Sequence, residues 1–256
     1  MAKVSSFQSL RRSVRNLVSK EPLELDPGAA YELWAASYDD IADNALLFAE
    51  SKVVEPLLRN VDFTGRSVLD AGCGTGRYLG FLQQLHPRRL TGIDLSPAML
   101  GKAREKDSCS SATLCVAGLE RLPFLNATFD FVLSTLVLGH VPDLATAIAE
   151  LSRALRNGGT LLISAFHPFG KLLSWKRTFR KQEPGGEARV VSARYYLHLY
   201  ADYFKAMGSA GIQILDVYEP LIDDSVRPFY ERAGRLDIYE RFHGYPLLLV
   251  FLARKQ

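Results

Sequence analysis

From Arg66 onward the chain alternates between short apolar runs and apolar residues at helical spacing. Positions 67–70 form a short apolar run ending in a carboxylate, and a glycine cluster follows at once. Tyr78, Leu79, Phe81, Leu82 and Leu85 then recur with helical periodicity. Positions 90–95 predict a second strand, followed by a helix that Ser96 would cap with Pro97 at its first position. Positions 112–116 predict a third strand. The fourth, 129–136, is almost wholly apolar, as expected of a strand covered on both faces. Asp143 would cap a helix carrying Leu144, Ile148, Leu151 and Leu155, which Gly158-Gly159 would end. Positions 160–165 predict a fifth strand. Five alternations of strand and helix predict a mostly parallel, doubly wound α/β sheet.

The flanks are less regular. An acidic, aromatic stretch over 31–43 precedes a helical pattern over 41–58. After the fifth strand the pattern breaks over 167–198, which is basic and carries Pro184-Gly185-Gly186, and this segment predicts a lid or insertion with a turn at its tip. Positions 199–210 predict a helix ending at Gly211. Strands are expected at 212–218 and 247–253, with a second irregular insertion over 219–245 between them. The simplest organisation is one domain over 21–256 preceded by a separate arm. Within it, 21–60 would be a helical cap, 61–166 the core, and 167–198 and 219–245 the substrate insertions.

Composition adds bounds. The chain has 256 residues, 48% hydrophobic and 23% charged, near globular averages, which excludes a disordered or fibrous protein. No apolar run approaches the roughly 18 residues of a membrane span. Three cysteines without metal-ligand spacing argue against a disulfide scaffold or a zinc module, so a reducing, cytoplasmic setting and no metal are expected. The net charge of +3 is too small to call for a nucleic-acid partner. It is also unevenly spread. Residues 1–20 hold Lys3, Arg11, Arg12, Arg15 and Lys20 and no acid, so the remainder of the chain is net negative. Val4, Phe7, Leu10, Val14, Leu17 and Val18 would make this arm a basic amphipathic helix. It could pack on the domain, dock on a membrane surface or partner, or be a cleaved transit peptide.

The chemistry is concentrated in Val68-Leu69-Asp70-Ala71-Gly72-Cys73-Gly74-Thr75-Gly76. Three glycines at alternate positions between a strand and a helix let the backbone approach a ligand, and the following helix points free N–H groups at the same spot. Asp94 ends the next strand, where a carboxylate would accept from two ribose hydroxyls. The spacing is not the dinucleotide G-x-G-x-x-G, and Asp70 at the entry of the turn would repel a pyrophosphate yet suit an ammonium group. A nucleoside with an amino-acid tail fits better than one with phosphates.

Those residues resemble the first motif of the class I S-adenosylmethionine-dependent methyltransferases. Gly92-Ile93-Asp94-Leu95-Ser96-Pro97-Ala98-Met99-Leu100 is similar to the family's ribose-binding segment. Leu122-Pro123-Phe124 with Phe129-Asp130-Phe131-Val132, and Leu155-Arg156-Asn157-Gly158-Gly159, resemble its later signatures. The likeness spans about 55–165. It implies a Rossmann-like doubly wound seven-stranded sheet with one antiparallel edge strand, an N-terminal helical cap, lid insertions, and S-adenosyl-L-methionine as cofactor. By position, Asp70 and Gly72 would hold the methionine amino group, while Gly74 and Gly76 would allow close approach. Asp94 would take the ribose, Leu95 and Met99 would flank the adenine, and Gly118 and Leu119 would face its edge. Many relatives carry an acid at Gly118; here Glu120 would replace it. Tyr38 would cover the cofactor from the cap, and Ser134 and Leu136 would lie near the methyl donor.

A hydroxyl or acidic-carbon nucleophile calls for a base as well. His140 and His167 follow the fourth and fifth strands and would emerge at the carboxyl edge, where such sheets bind ligands. They are the candidate catalytic residues, while Tyr195, Tyr196 and His198 would line a lid. Aromatic insertions point to a small apolar or aromatic acceptor, methylated on oxygen or carbon. The basic residues of 171–194 could instead grip a carboxylate, a phosphate or a carrier-bound acid. An RNA methyltransferase, and a non-catalytic S-adenosylmethionine-binding or partner-activating protein, are the alternatives.

Overall fold

The computed structural model describes residues 21–41, 45–172, 177–182 and 188–256. The expected helix over 1–20 and the Pro184-Gly185-Gly186 tip lie outside them. Strand β1 (Leu23–Leu25) leads into helix α1 (Pro27–Trp34), capped by Asp26, which accepts from Gly28 N at 3.1 Å, with Pro27 opening the helix. Two single-turn 3-10 helices and helix α2 (Ala45–Arg59) precede the sheet.

The alternation then runs as the periodicity predicts: β2 (Ser67–Ala71), α3 (Arg77–Gln83), β3 (Arg89–Asp94), α4 (Pro97–Arg104), β4 (Thr113–Val116), β5 (Phe129–Thr135), α5 (Leu144–Ala154) and β6 (Leu155–Phe166). Both expected caps form, Ser96 Oγ accepting from Met99 N at 3.1 Å and Asp143 Oδ1 from Thr146 N at 3.0 Å. One boundary differs. Helix α5 ends at Ala154 and the chain enters β6 at once, so Gly158 lies inside the strand rather than at a helix end. Its φ of +75° sits where the β5–β6 register shifts between Phe129 and Phe131, a bulge that a side chain would strain.

Beyond the core lie α6 (Pro168–Leu172), β7 (Thr178–Gln182), β8 (Ala188–Ala193), α7 (Tyr200–Ser209), β9 (Ile212–Tyr218), α8 (Arg227–Arg232), α9 (Leu236–Phe242) and β10 (Leu248–Lys255). The main sheet has seven strands in the order β4-β3-β2-β5-β6-β10-β9. Its single antiparallel strand is β10, which lies between β6 and β9 rather than at the edge expected for it; the edge strand β9 runs parallel to the other five. The sheet's pleat sends neighbouring residues to opposite faces. Leu69, Val132 and Leu161 pack with Ile148, Leu151 and Met207 on one side, whereas Val68, Phe131 and Leu162 pack with Val54, Leu58 and Leu79 on the other.

The insertions hold regular structure that the sequence pattern does not predict. Strands β7 and β8 form a hairpin, and β1 adds to β8 in parallel, so the N-terminal segment and the first insertion share a three-stranded sheet. Trp34 of α1 stacks on Phe179 of β7 at 4.7 Å. The 219–245 segment, expected to be irregular, contains α8 and α9 and meets α2 through Phe229 against Phe48 at 4.8 Å. Among the described residues no helix is long and apolar enough to cross a membrane.

Candidate functional site

Strand order reverses between β2, whose successors β3 and β4 run outward on one side, and β5, whose successor β6 runs outward on the other. Loops at the carboxyl ends of such neighbouring strands diverge and leave a crevice. Here a cavity of about 300 Å³ opens at that point, between the glycine turn after β2, the loop after β5 and the α1 segment.

Each glycine of the turn has its own reason. All three lie at positive φ, which favours glycine. A Cβ on Gly72 would strike Val137 Cγ2 at 2.2 Å, and one on Gly76 would strike Cys109 Sγ at 2.6 Å. A Cβ on Gly74 would meet nothing within 4 Å, because it would project into the cleft. Gly72 and Gly74 line the cavity. Gly76, expected there too, does not; it opens helix α3 and makes room for packing.

Asp70 lines the floor of the cavity with 1% of its surface exposed. Burial pushes its carboxyl up to about 7, with the Arg77 guanidinium opposing and the Asp94 and Glu50 carboxylates reinforcing the rise. Among the described residues its Oδ1 has no hydrogen-bond partner. A buried acceptor left without a donor is costly, and a ligand ammonium would satisfy it. Asp94 closes the other side of the turn, Oδ2 accepting from Gly74 N and Oδ1 from Ser96 N, both at 2.9 Å. These bonds orient the carboxylate, and each oxygen keeps acceptor capacity for ribose hydroxyls. Leu95, Met99, Gly118, Leu119 and Glu120 line the same end of the cavity. The space beside Gly118 is open, a Cβ there meeting only Leu95 Cδ1 at 3.7 Å. The donor set therefore fits a nucleoside with an ammonium-bearing tail.

On the opposite wall, Leu136 lines the cavity at a φ of +58°, held there by its N–H donating to Ser164 O at 2.9 Å. A leucine in the left-handed region is strained, and the bond to β6 sustains it. Ser134 does not reach the cavity: it is fully buried, and Thr135 takes the lining position. The cause is the pleat, which turns Ser134 into the sheet beside Ile163.

The two candidate histidines part company. His140 lines the cavity, with Nδ1 2.8 Å from Arg194 O and Nε2 2.9 Å from Tyr31 Oη. A carbonyl only accepts, so Nδ1 carries the proton and Nε2 accepts from the Tyr31 hydroxyl. Burial lowers the His140 pKa to about 4; the bond to Arg194 O opposes this and the Arg177 charge adds to it, so the ring is neutral near pH 7. His167 is not among the residues lining the cavity. Its N–H extends the β6–β10 ladder by donating to Leu247 O at 3.1 Å, and its ring turns toward β9 and α7. There Nε2 lies 3.0 Å from Tyr200 Oη and 3.1 Å from Glu219 Oε1, while Nδ1 accepts from Phe169 N. The expected lid aromatics also separate. Tyr196 lines the cavity, the Tyr195 ring fills the space left by Gly139, and His198 Nε2 bonds Val141 O at 2.9 Å.

Several residues enter the site that the sequence reading does not single out. Tyr31, Tyr38 and Arg177 line the cavity together; Tyr38 was expected and Arg177 is one of the basic residues of 171–194 considered for an acid, whereas Tyr31 was not singled out. Three acids of the N-terminal segment tie it to the site: Glu32 accepts from Ser96 Oγ at 2.6 Å, Asp39 from Thr75 Oγ1 at 2.7 Å, and fully buried Glu50 receives Arg77, Tyr78 and Ser164. Nothing local marks these acids, because every partner is distant in the chain.

Comparison with known proteins agrees with this geometry. A family model described as a methyltransferase domain matches residues 69–163. A malonyl-[acyl-carrier protein] O-methyltransferase of Serratia marcescens is 34% identical over 153 residues, covering 59% of this chain and 55% of that protein. A phthiotriol/phenolphthiotriol dimycocerosates methyltransferase of Mycobacterium leprae (strain TN) is 31% identical over 120 residues, 46% of this chain and 44% of that one. The chain thus spans about half the length of the curated relatives it matches. Among solved structures, an S-adenosylmethionine-dependent methyltransferase from Mesorhizobium loti superposes with a TM-score of 0.59 at 23% identity, covering 78% of this chain and 96% of that one. The family match falls on the strands and turns that build the cleft, so over residues 69–163 the chain is similar to the methyltransferase-domain family.

Proposed function

We propose that the protein transfers a methyl group from S-adenosyl-L-methionine to an oxygen or carbon atom of a small acceptor. The unpartnered Oδ1 of buried Asp70, beneath the glycine turn and beside Asp94, carries this reading. An ammonium group at Asp70 and a ribose at Asp94 are what these two carboxylates can hold at once. Bound there, the cofactor supplies an electrophilic methyl group on a sulfonium. The protein's own work is to align the acceptor and keep water out.

Tyr31 and His140 would manage the acceptor's proton. Tyr31 Oη faces the cavity while its proton points at His140 Nε2. A proton released by an acceptor hydroxyl or acidic carbon would pass to Tyr31 Oη as the Tyr31 proton moves to Nε2. The Arg194 carbonyl would then stabilise the charged ring through Nδ1. The aromatic lining formed by Tyr31, Tyr38 and Tyr196 supports an apolar or aromatic acceptor. Relatives named for malonyl-carrier and lipid substrates support a small or carrier-bound molecule over RNA.

Isothermal titration with S-adenosylhomocysteine is the test. Binding that Asp94→Ala and Gly74→Val abolish, in folded variants, is expected; unchanged binding would remove the cofactor assignment. Transfer from a labelled methyl donor into a metabolite extract then identifies the acceptor.

A further inference from the structure

Two guanidinium groups line the cleft, and they are balanced differently. Arg77 is paired with the buried Glu50 carboxylate. Arg177 has no carboxylate partner among the described residues. Its charged end lies 5.2 Å from the ring centroids of both Trp34 and Tyr38, and Nη2 donates to Tyr38 Oη at 2.7 Å. Aromatic faces and one neutral phenol hold a guanidinium in place without neutralising it. A cation withdrawn from water without a counter-charge is costly, and the unused N–H groups form the fork that matches a carboxylate.

We propose that Arg177 is a carboxylate receptor in the cleft and that the methyl acceptor brings the carboxylate. The second half rests on the methyltransferase reading. The cofactor also has a carboxylate, but that group is one carbon removed from its ammonium and so must lie close to Asp70. Arg177 is held by Trp34 and Tyr38, whose rings pack on Tyr31 at 5.7 and 6.1 Å, and the Tyr31 hydroxyl bonds His140. Arg177 therefore sits on the proton-handling side of the cleft, where an acceptor rather than the methionine tail would lie. It also comes from the 167–198 insertion, outside the residues matched by the family model, so it selects acceptors for this chain in particular.

The test compares octanoate with octanamide, which differ only in the charged group, by titration into the full chain with and without saturating S-adenosylhomocysteine. Octanoate is expected to bind about ten- to a hundredfold tighter, the range of a charge-assisted pair. Arg177→Met should erase that preference and Arg177→Lys should keep part of it. Equal binding of the two probes, or a preference surviving in Arg177→Met, would overturn the proposal. So would a loss of S-adenosylhomocysteine affinity in Arg177→Met with 5′-methylthioadenosine unaffected, because the guanidinium would then hold the cofactor's own carboxylate. Should Arg177→Met fail to fold, Arg177→Lys decides: octanoate weakened with octanamide unchanged supports the receptor, and no change in either overturns it. Failure of S-adenosylhomocysteine to bind the unaltered chain would sink the methyltransferase reading alone, since the octanoate comparison without cofactor still reads Arg177.

Discussion

The Tyr31 hydroxyl meets His140 Nε2 at 2.9 Å although 109 positions separate the two residues in the chain. One residue comes from the N-terminal segment and the other from the loop after β5, so the pair exists only when α1 lies over the cleft. Because the Arg194 carbonyl fixes the proton on Nδ1, the direction of the Tyr31 bond is also fixed. Tyr31→Phe should therefore lower kcat by about a hundredfold, the usual scale of lost acid–base assistance, with little change in KM. An unchanged kcat in steady-state kinetics would exclude the relay.

On the proposed reading, Asp70 should tie cofactor affinity to pH. Its folded carboxyl titrates near 7, so below that value the protonated acid offers an ammonium no charge. Affinity for S-adenosylhomocysteine should fall about tenfold per unit as pH drops from about 7 to 5. The ligand-free protein should show the opposite trend in stability. A carboxyl whose folded pKa lies above its unfolded value holds its proton better when folded, so its stabilisation is lost as pH rises from about 4 to 7. Asp70→Asn should flatten both slopes; titrations and denaturant melts across pH read them.

The glycines of the turn should fail in different ways. Gly74→Ala places its methyl in open cleft and costs about 1 kcal/mol of backbone strain, so the variant should fold but lose cofactor affinity. Gly76→Ala must displace Cys109 from 2.6 Å as well, so it should be the less stable of the two in denaturant melts. Equal stabilities would contradict this division.

Glu50 should matter to folding more than its distance from the cleft suggests. It is fully buried in α2 and accepts from Arg77, Tyr78 and Ser164, on α3 and β6. Glu50→Ala leaves Arg77 and two hydroxyls without their acceptor, at a cost of about 3 kcal/mol. The denaturation midpoint measures this, and a shift equivalent to under 1 kcal/mol would show that Arg77 finds other support.

His167→Ala should leave turnover intact, since its ring is engaged with Tyr200 and Glu219 outside the cavity lining. Steady-state rates with the identified acceptor would check it, and a hundredfold loss would return His167 to the catalytic machinery.

The sequence by itself determined the glycine-turn side of the cleft. Asp70, Gly72, Gly74, Asp94 and Met99 were legible because their work is local: a turn needs glycines at fixed spacing, and successive strand ends place two acids side by side. The core strands were legible for the same reason, since an apolar run or a helical period is a property of neighbours in the chain. Even there the pleat decided one detail, sending Ser134 inward and leaving Thr135 at the cleft. Only the tertiary structure decided the opposite wall of the cleft. That β1 pairs with β8, that Glu50 meets Arg77, that His140 rather than His167 enters the cavity, and that Arg177 reaches Tyr38 all depend on contacts between distant segments. Such contacts leave no periodicity or spacing in the chain, because packing and hydrogen-bond geometry select them only after the sheet has formed.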